Sequence, residues 1–381
     1  MPPASESLGD RIRAFARPWE LASFIWVPAI AIAYAFWWEL RTTKRLQDFG
    51  IFRVAAKAVL HGHSPFPPPT PAGVAHFDKF VYPPSTALAF APFAELPLIV
   101  GQVLMLVLGV AAIFVALRIL GVRDWRCYGV VLMTSPSVNT FTLGAVTSFL
   151  LVGVAAAWRY RDRPATSGVL VGLTALGKLF LWPVGLWLLA TRRFRAAAVA
   201  VASGVVVLLA GWAVIDFAGL RTYPRLLREL SKAEQGTSYS PVALFHLSGR
   251  PATLLTAVLL VLLVVGVVLA ARGPDGDRRA LCVAVVGSLL VTPIVWLHYL
   301  LLLYVPIALY RPRLSGLWLA PLVLWLTPST HSHGVVWHIA LAIAVVLLVL
   351  GRTVGEARTR RLVARRGFAR GREGSARTLS T

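Results

Sequence analysis

Charge is scarce in this sequence. Only 14% of its 381 residues are Asp, Glu, Lys or Arg, and 38 basic residues outnumber 16 acidic ones. With 57% hydrophobic residues and a mean hydropathy of +0.71, this scarcity excludes a soluble globular domain, which could not cover so much apolar surface. Cysteine is nearly absent, and Cys127 and Cys282 both fall at expected cytoplasmic ends of apolar spans, which argues against a disulfide framework. No Walker or Gly-rich phosphate loop occurs, and the basic turns are too short to hold a nucleotide-binding domain. A basic face interleaved with exposed aromatics on a soluble fold is also missing, so the net charge of +22 does not imply a nucleic-acid partner.

What is present is a series of apolar blocks, most roughly 15 to 21 residues long, near the length a helix needs to cross about 30 Å of hydrocarbon. Backbone amides in lipid must bond internally, so the spans are helices and the chain is an all-α polytopic membrane protein. The blocks fall at 21–38, 98–118, 127–141, 145–158, 167–177, 179–191, 196–216, 252–271, 280–297, 299–310, 315–328 and 336–351. That is about twelve spans, in a range of roughly 10 to 13 because several are short. The positive-inside rule supports the count. With the amino terminus inside, inner connections carry Arg118, Arg123 and Arg126, then Arg159, Arg161 and Arg163, then Arg192, Arg193 and Arg195, then Arg272, Arg278 and Arg279.

This pattern predicts a multi-pass protein of the cell membrane with both termini cytoplasmic. Residues 1–20 form the inner amino terminus, 21–351 the membrane module and 352–381 a basic, aperiodic tail. The first span has a basic flank and contains an Ala33-Tyr34-Ala35 triplet, but an uncleaved anchor fits the second span that follows. The sizeable polar segments between spans, 39–97 and 217–251, both fall on the outer face. Nucleotides are not supplied there, so an activated donor must arrive attached to lipid.

In the first outer loop, Phe49, Phe52, Ala56, Val59 and Leu60 recur at helical spacing, with Arg53 and Lys57 on another face. This predicts an interfacial amphipathic helix stopped by Gly62 and Pro65. Asp48 stands at its start, as an N-cap or as a general base, roles that one carboxylate can combine. A second short helix is expected to begin after Pro83-Pro84 and run through Ala87 to Ala94. In the second platform, Arg221, Arg225, Arg228 and Lys232 suggest a basic helix face toward anionic lipid.

Several of these residues resemble glycosyltransferase family 87. The similarity lies in Asp48-Phe49-Gly50-Ile51-Phe52, Ala58-Val59-Leu60-His61-Gly62, Phe80-Val81-Tyr82-Pro83-Pro84 and Pro92-Phe93. It continues through Ser167-Gly168-Val169-Leu170-Val171-Gly172-Leu173 with Lys178 and Pro183, then Arg192-Arg193-Phe194-Arg195-Ala196. A third block is Thr292-Pro293-Ile294-Val295-Trp296-Leu297-His298-Tyr299. One departure is Gly144-Ala145-Val146-Thr147-Ser148, where the family often carries Gly-Gln-Xaa-Asn.

The resemblance implies a GT-C fold enzyme that moves a sugar from a polyprenyl-phosphate donor to a glycolipid or lipoglycan acceptor outside the membrane. Known members are actinobacterial α-(1→2)-mannosyltransferases and related arabinofuranosyltransferases. Mannose is the expected sugar and arabinofuranose the alternative. The family's early acidic base maps to Asp48.

A sugar on a lipid monophosphate already carries its leaving group, so the chemistry needs a base and fixed cations, with no cofactor or metal. Lys178 and His298 are the expected phosphate contacts, with Arg53 as a further candidate. For Lys178 the competing role is snorkelling, for His298 an aromatic-belt hydrogen bond, and for Arg53 a headgroup contact. Tyr82, Trp296, Tyr299 and Tyr239 are the expected sugar contacts. His61 with His63, and His331 with His333, lack the carboxylate or cysteine partner a zinc site needs. A transporter or flippase for a lipid-linked sugar is the alternative of another class. It predicts repeated halves and midplane ionisable groups, whereas no repeat is visible and the candidates cluster at the outer surface.

Overall fold

The computed structural model describes residues 18–43, 46–76, 80–327 and 335–355, and every regular element among them is helical. His331 and His333 lie outside the described residues, as do Arg11 to Arg17 and the tail from 356 onward.

The elements used below run in order as α1 (Pro18–Thr42), α2 (Gln47–Leu60), α3 (Pro84–Ala89), α4 (Leu98–Ile119), α5 (Ser135–Leu143) and α6 (Thr147–Arg159). They continue as α7 (Pro164–Gly177), α8 (Phe194–Ala213), α9 (Tyr223–Glu234), α10 (Gly249–Ala270), α11 (Gly276–Val291) and α12 (Val336–Gly355). Five of them, α1, α4, α8, α10 and α12, are long and apolar enough to cross a membrane. The pair α5 and α6 qualifies as a sixth crossing only when taken together, bent by 117°.

The expected span 127–141 is two helices rather than one. Trp125–Met133 ends at Thr134, which is extended (φ −77°, ψ 146°), and Pro136 occupies the first turn of α5. Proline there has no N–H to lose and disfavours helix in the residue before it, so the chain restarts instead of continuing. The remaining short spans appear as apolar helical pieces: α7, Leu179–Ala190, Leu297–Tyr310 and Gly316–Leu326.

Small residues set the packing of the middle helices. Gly168 and Gly172, one turn apart on α7, lie against the backbone carbonyls of Ala196 and Ala200 on α8, leaving no room for a Cβ. Such close approach maximises van der Waals contact where lipid supplies no hydrophobic drive. On the opposite side, Gly153 of α6 abuts Thr174. The end of α7, and hence Lys178, is thereby fixed from two sides.

The basic turns do more than orient the chain. Asp277, at the start of α11, accepts from Arg193 Nη1 at 2.6 Å and Trp187 Nε1 at 2.7 Å, and pairs with Arg161 at 3.0 Å. One carboxylate thus joins the turns on either side of the α7 and Leu179–Ala190 pair to a third helix.

Candidate functional site

The site is assembled on α2 first. This helix begins at Gln47, with Leu46 as its N-cap (φ −74°, ψ 120°) and the Gly50 N–H donating to the Leu46 carbonyl at 2.8 Å. Asp48 is therefore the second residue inside the helix and makes no capping bond, contrary to the N-cap reading. The helix starts two residues earlier than an Asp48 cap would require, so the carboxylate is not at the capping position. Its Oδ2 is sealed from solvent and has no hydrogen-bond partner.

The apolar face of α2 packs on the protein core instead of lipid. Phe49 and Phe52 are fully buried, whereas Leu60, expected on the same face, is exposed. Phe49 is wedged between two glycines: a Cβ on Gly101 of α4 would lie 2.7 Å from its ring, and a Cβ on Gly144 would lie 2.7 Å from its Cβ. Gly144 closes α5 in the left-handed region (φ +66°), a conformation glycine adopts without penalty. Phe52 stacks on Phe90 at 4.4 Å and packs on Tyr82 at 4.9 Å, which carries the Tyr-Pro-Pro segment to the same end of the bundle. The helix after it is shorter than expected. It ends at Ala89, and a separate turn follows at Ala91–Ala94.

Lys178 arrives from the end of α7, where the backbone turns extended (φ −150°, ψ 114°). Its side chain is 2% exposed, and its Nζ lies 3.2 Å from His298 Nε2. Three rings surround the ammonium, with Nζ at 4.0 Å from the Tyr299 centroid, 5.3 Å from Trp296 and 5.5 Å from Tyr82. Ring faces are electronegative, so this cage stabilises a cation that has left water.

The third block is held by the second platform. Ser238 and Ser240 donate through Oγ to the Pro293 carbonyl at 3.1 and 2.8 Å, and the Val295 N–H donates to Ser238 Oγ at 2.9 Å. The Tyr239 N–H meets the Val295 carbonyl at 2.8 Å. These bonds satisfy an extended stretch that has no helix of its own and fix Trp296 and His298 just beyond it. From above, Tyr223 of α9 donates to the Val81 carbonyl at 2.7 Å, beside Tyr82. Leu226 and Leu230 of α9 are buried against Val74, leaving Arg221, Arg225, Arg228 and Lys232 exposed.

Burial raises the Asp48 carboxyl above the ordinary carboxylate range, and the neighbouring Lys178 ammonium pulls it part of the way back. A half-buried carboxylate with a raised proton affinity and a caged cation nearby is suited to take a proton from a hydroxyl while negative charge departs on another group.

The structure gathers Asp48, Tyr82, Lys178, Trp296, His298 and Tyr299 and leaves two expected residues out. Arg53 is engaged elsewhere, donating from Nε to the Phe93 carbonyl at 3.3 Å and from Nη2 to the Leu96 carbonyl at 2.8 Å. The Phe93 carbonyl lies in the last turn of the short helix Ala91–Ala94 and the Leu96 carbonyl just beyond it, where a half-buried guanidinium supplies donors. Tyr239 is buried in the core, and its backbone N–H is tied to the Val295 carbonyl. Asn139, whose Oδ1 lies 3.2 Å from His298 Nδ1, belongs to none of the recognised motifs. Among the described residues no three His, Cys, Asp or Glu side chains converge as metal ligands would.

The model of glycosyltransferase family 87 matches residues 80–295, more than half of the chain. The chain belongs to glycosyltransferase family 87 and, with its apolar helices, is a membrane glycosyltransferase. The matched span includes Tyr82 and Lys178; Trp296, His298 and Tyr299 lie just beyond it, and Asp48 precedes it. Among characterised proteins, the chain is 28% identical over 313 residues to a polyprenol-phosphate-mannose-dependent alpha-(1-2)-phosphatidylinositol pentamannoside mannosyltransferase of Mycolicibacterium smegmatis (strain ATCC 700084 / mc(2)155). That similarity covers 72% of this chain and 76% of the relative. No solved structure matches.

Proposed function

We propose that this protein transfers mannose from a polyprenyl-phosphate donor to a hydroxyl of a glycolipid or lipoglycan acceptor. The reaction takes place at the outer face of the cell membrane, with an inverting, metal-independent mechanism and no cofactor. The observation that carries this reading is the convergence of Asp48 with caged Lys178 and His298, drawn from separate segments of the chain. The family supports glycosyl transfer, and the relative's donor supports polyprenyl-phosphate mannose.

In this mechanism Asp48 takes the proton of the acceptor hydroxyl as its oxygen attacks the anomeric carbon. The bond from that carbon to the phosphate oxygen breaks, and its electron pair leaves on polyprenyl phosphate. The added negative charge is met by the Lys178 ammonium, which His298 orients. Tyr82, Trp296 and Tyr299 offer ring faces and hydroxyls to the sugar. A single displacement converts a β-linked lipid mannose into an α-linked product. We read the membrane module as a GT-C arrangement of about twelve crossing segments, a reading supported by its five long apolar helices, the bent α5–α6 pair and the shorter apolar helices between them.

The test is Asp48→Asn in proteoliposomes supplied with polyprenyl-phosphate mannose and a glycolipid acceptor. Transfer falls by about 10²- to 10⁴-fold while the protein stays membrane-integrated and folded. Mass spectra of envelope glycolipids from a deletion strain complemented with either form then identify the product. An Asp48→Asn protein with full activity overturns the assignment. Movement of lipid-linked sugar across the vesicle without a new glycosidic bond establishes the transporter reading instead.

A further inference from the structure

Asn139 sits on α5 close to the break at Gly144 and is 4% exposed. Its Oδ1 lies 3.2 Å from His298 Nδ1, and His298 Nε2 lies 3.2 Å from Lys178 Nζ. The imidazole is therefore held end to end between an amide and an amine, with the Tyr299 ring centroid 4.8 Å away.

The donor and acceptor inventory of these groups leaves little freedom. A lysine ammonium has three N–H donors and no lone pair, so the nitrogen facing it must be bare. A neutral imidazole bare at Nε2 carries its proton on Nδ1, and that proton needs an acceptor. The Asn139 carbonyl oxygen is the group in place. A reversed amide would present its NH2 to Nδ1, force the proton to Nε2, and set N–H against ammonium.

We propose that Asn139 is a positioning residue that holds His298 in the Nδ1–H tautomer. His298 Nε2 then accepts one N–H of Lys178 and fixes the ammonium so that its other donors face the anionic end of the substrate. The choice of asparagine over a carboxylate follows from the same chemistry. An Asp or Glu beside Nδ1 would favour imidazolium, whose Nε2–H repels Lys178, whereas a neutral amide keeps the positive charge on the lysine.

The role of Lys178 toward phosphate rests on the proposed function, but the tautomer can be read without turnover. The full chain, labelled with ¹⁵N-histidine and reconstituted in lipid, is measured by solid-state NMR. The His298 signals are identified by difference against His298→Gln. The expected result is a protonated Nδ1 and a bare Nε2 in the native protein, a shift to Nε2–H with loss of the Lys178 contact in Asn139→Leu, where Nδ1–H has no acceptor, and imidazolium in Asn139→Asp.

In transfer assays Asn139→Leu lowers kcat/KM for polyprenyl-phosphate mannose about tenfold, the size of one lost charge-assisted hydrogen bond. Asn139→Asp, which fills the same volume, loses at least as much. A native His298 protonated at Nε2, or a tautomer unchanged in Asn139→Leu, overturns the proposal. Should Asn139→Leu fail to fold, the native and Asn139→Asp spectra decide it. Should the native protein show no glycosyl transfer, the proposed function fails while the spectroscopic result stands.

Discussion

At the scale of single residues, burial first and the neighbouring Lys178 second set the protonation of Asp48. Burial holds the carboxyl above its usual range of about 4, and the ammonium holds it down from going further. A base works only when deprotonated, so transfer rises with pH through the Asp48 titration and falls off on the acid side. Replacing the ammonium by an apolar side chain of similar length removes the lowering influence and leaves the burial. Lys178→Met is therefore expected to lose activity and to move the acid limb of kcat/KM to higher pH. An acid limb that stays in place in pH profiles of reconstituted enzyme would show that Lys178 does not act on Asp48.

At the scale of elements, the placement of Asp48 depends on how closely α2 approaches the break between α5 and α6. Phe49 fills the space left by the absent side chains of Gly101 and Gly144, and any Cβ at Gly144 would push directly against it. Gly144 also sits at φ +66°, so Gly144→Ala combines backbone strain with a steric clash. The expected cost is about 1–3 kcal/mol of stability, together with a loss of transfer exceeding what reduced folding explains. Gly121 provides the control, because at φ +88° it has open space around the Cβ position. Gly121→Ala carries the strain without moving α2, and its activity per folded molecule is expected to be unchanged. Thermal unfolding in detergent and specific activity, measured on both variants, separate the two effects.

At the scale of the whole molecule, the site and the α9 platform share one end of the bundle, and the Asp277 cluster lies among the arginine-rich turns at the expected cytoplasmic end. The proposed orientation puts Asp48 outside the cell and Asp277 inside. Cys127 and Cys282 are both buried, which leaves a low background for thiol labelling. Gln47 and Ala165 are exposed near opposite ends. In intact cells an impermeant maleimide is expected to label Gln47→Cys at once and Ala165→Cys only after permeabilisation. The reverse order would place the site in the cytosol and remove the need for a lipid-carried donor.

Membrane class was already determined by the amino-acid sequence, because the free energy of insertion sums over neighbouring apolar residues and arginine placement is local. The helix over 47–60 was legible for the same reason, since its periodicity lies within a few turns. Asp48, Lys178 and His298 could be singled out as ionisable groups at the ends of apolar runs. Their convergence, however, is a matter of tertiary structure, because contacts between Lys178 and His298 cross 120 positions of sequence separation. The same packing diverted Arg53 to the Phe93 and Leu96 carbonyls and drew in Asn139, which sits in a Ser/Thr-rich helix without a motif of its own. A side chain's type fixes what it can donate or accept, but which partner stands within 3 Å is decided only when the helices pack.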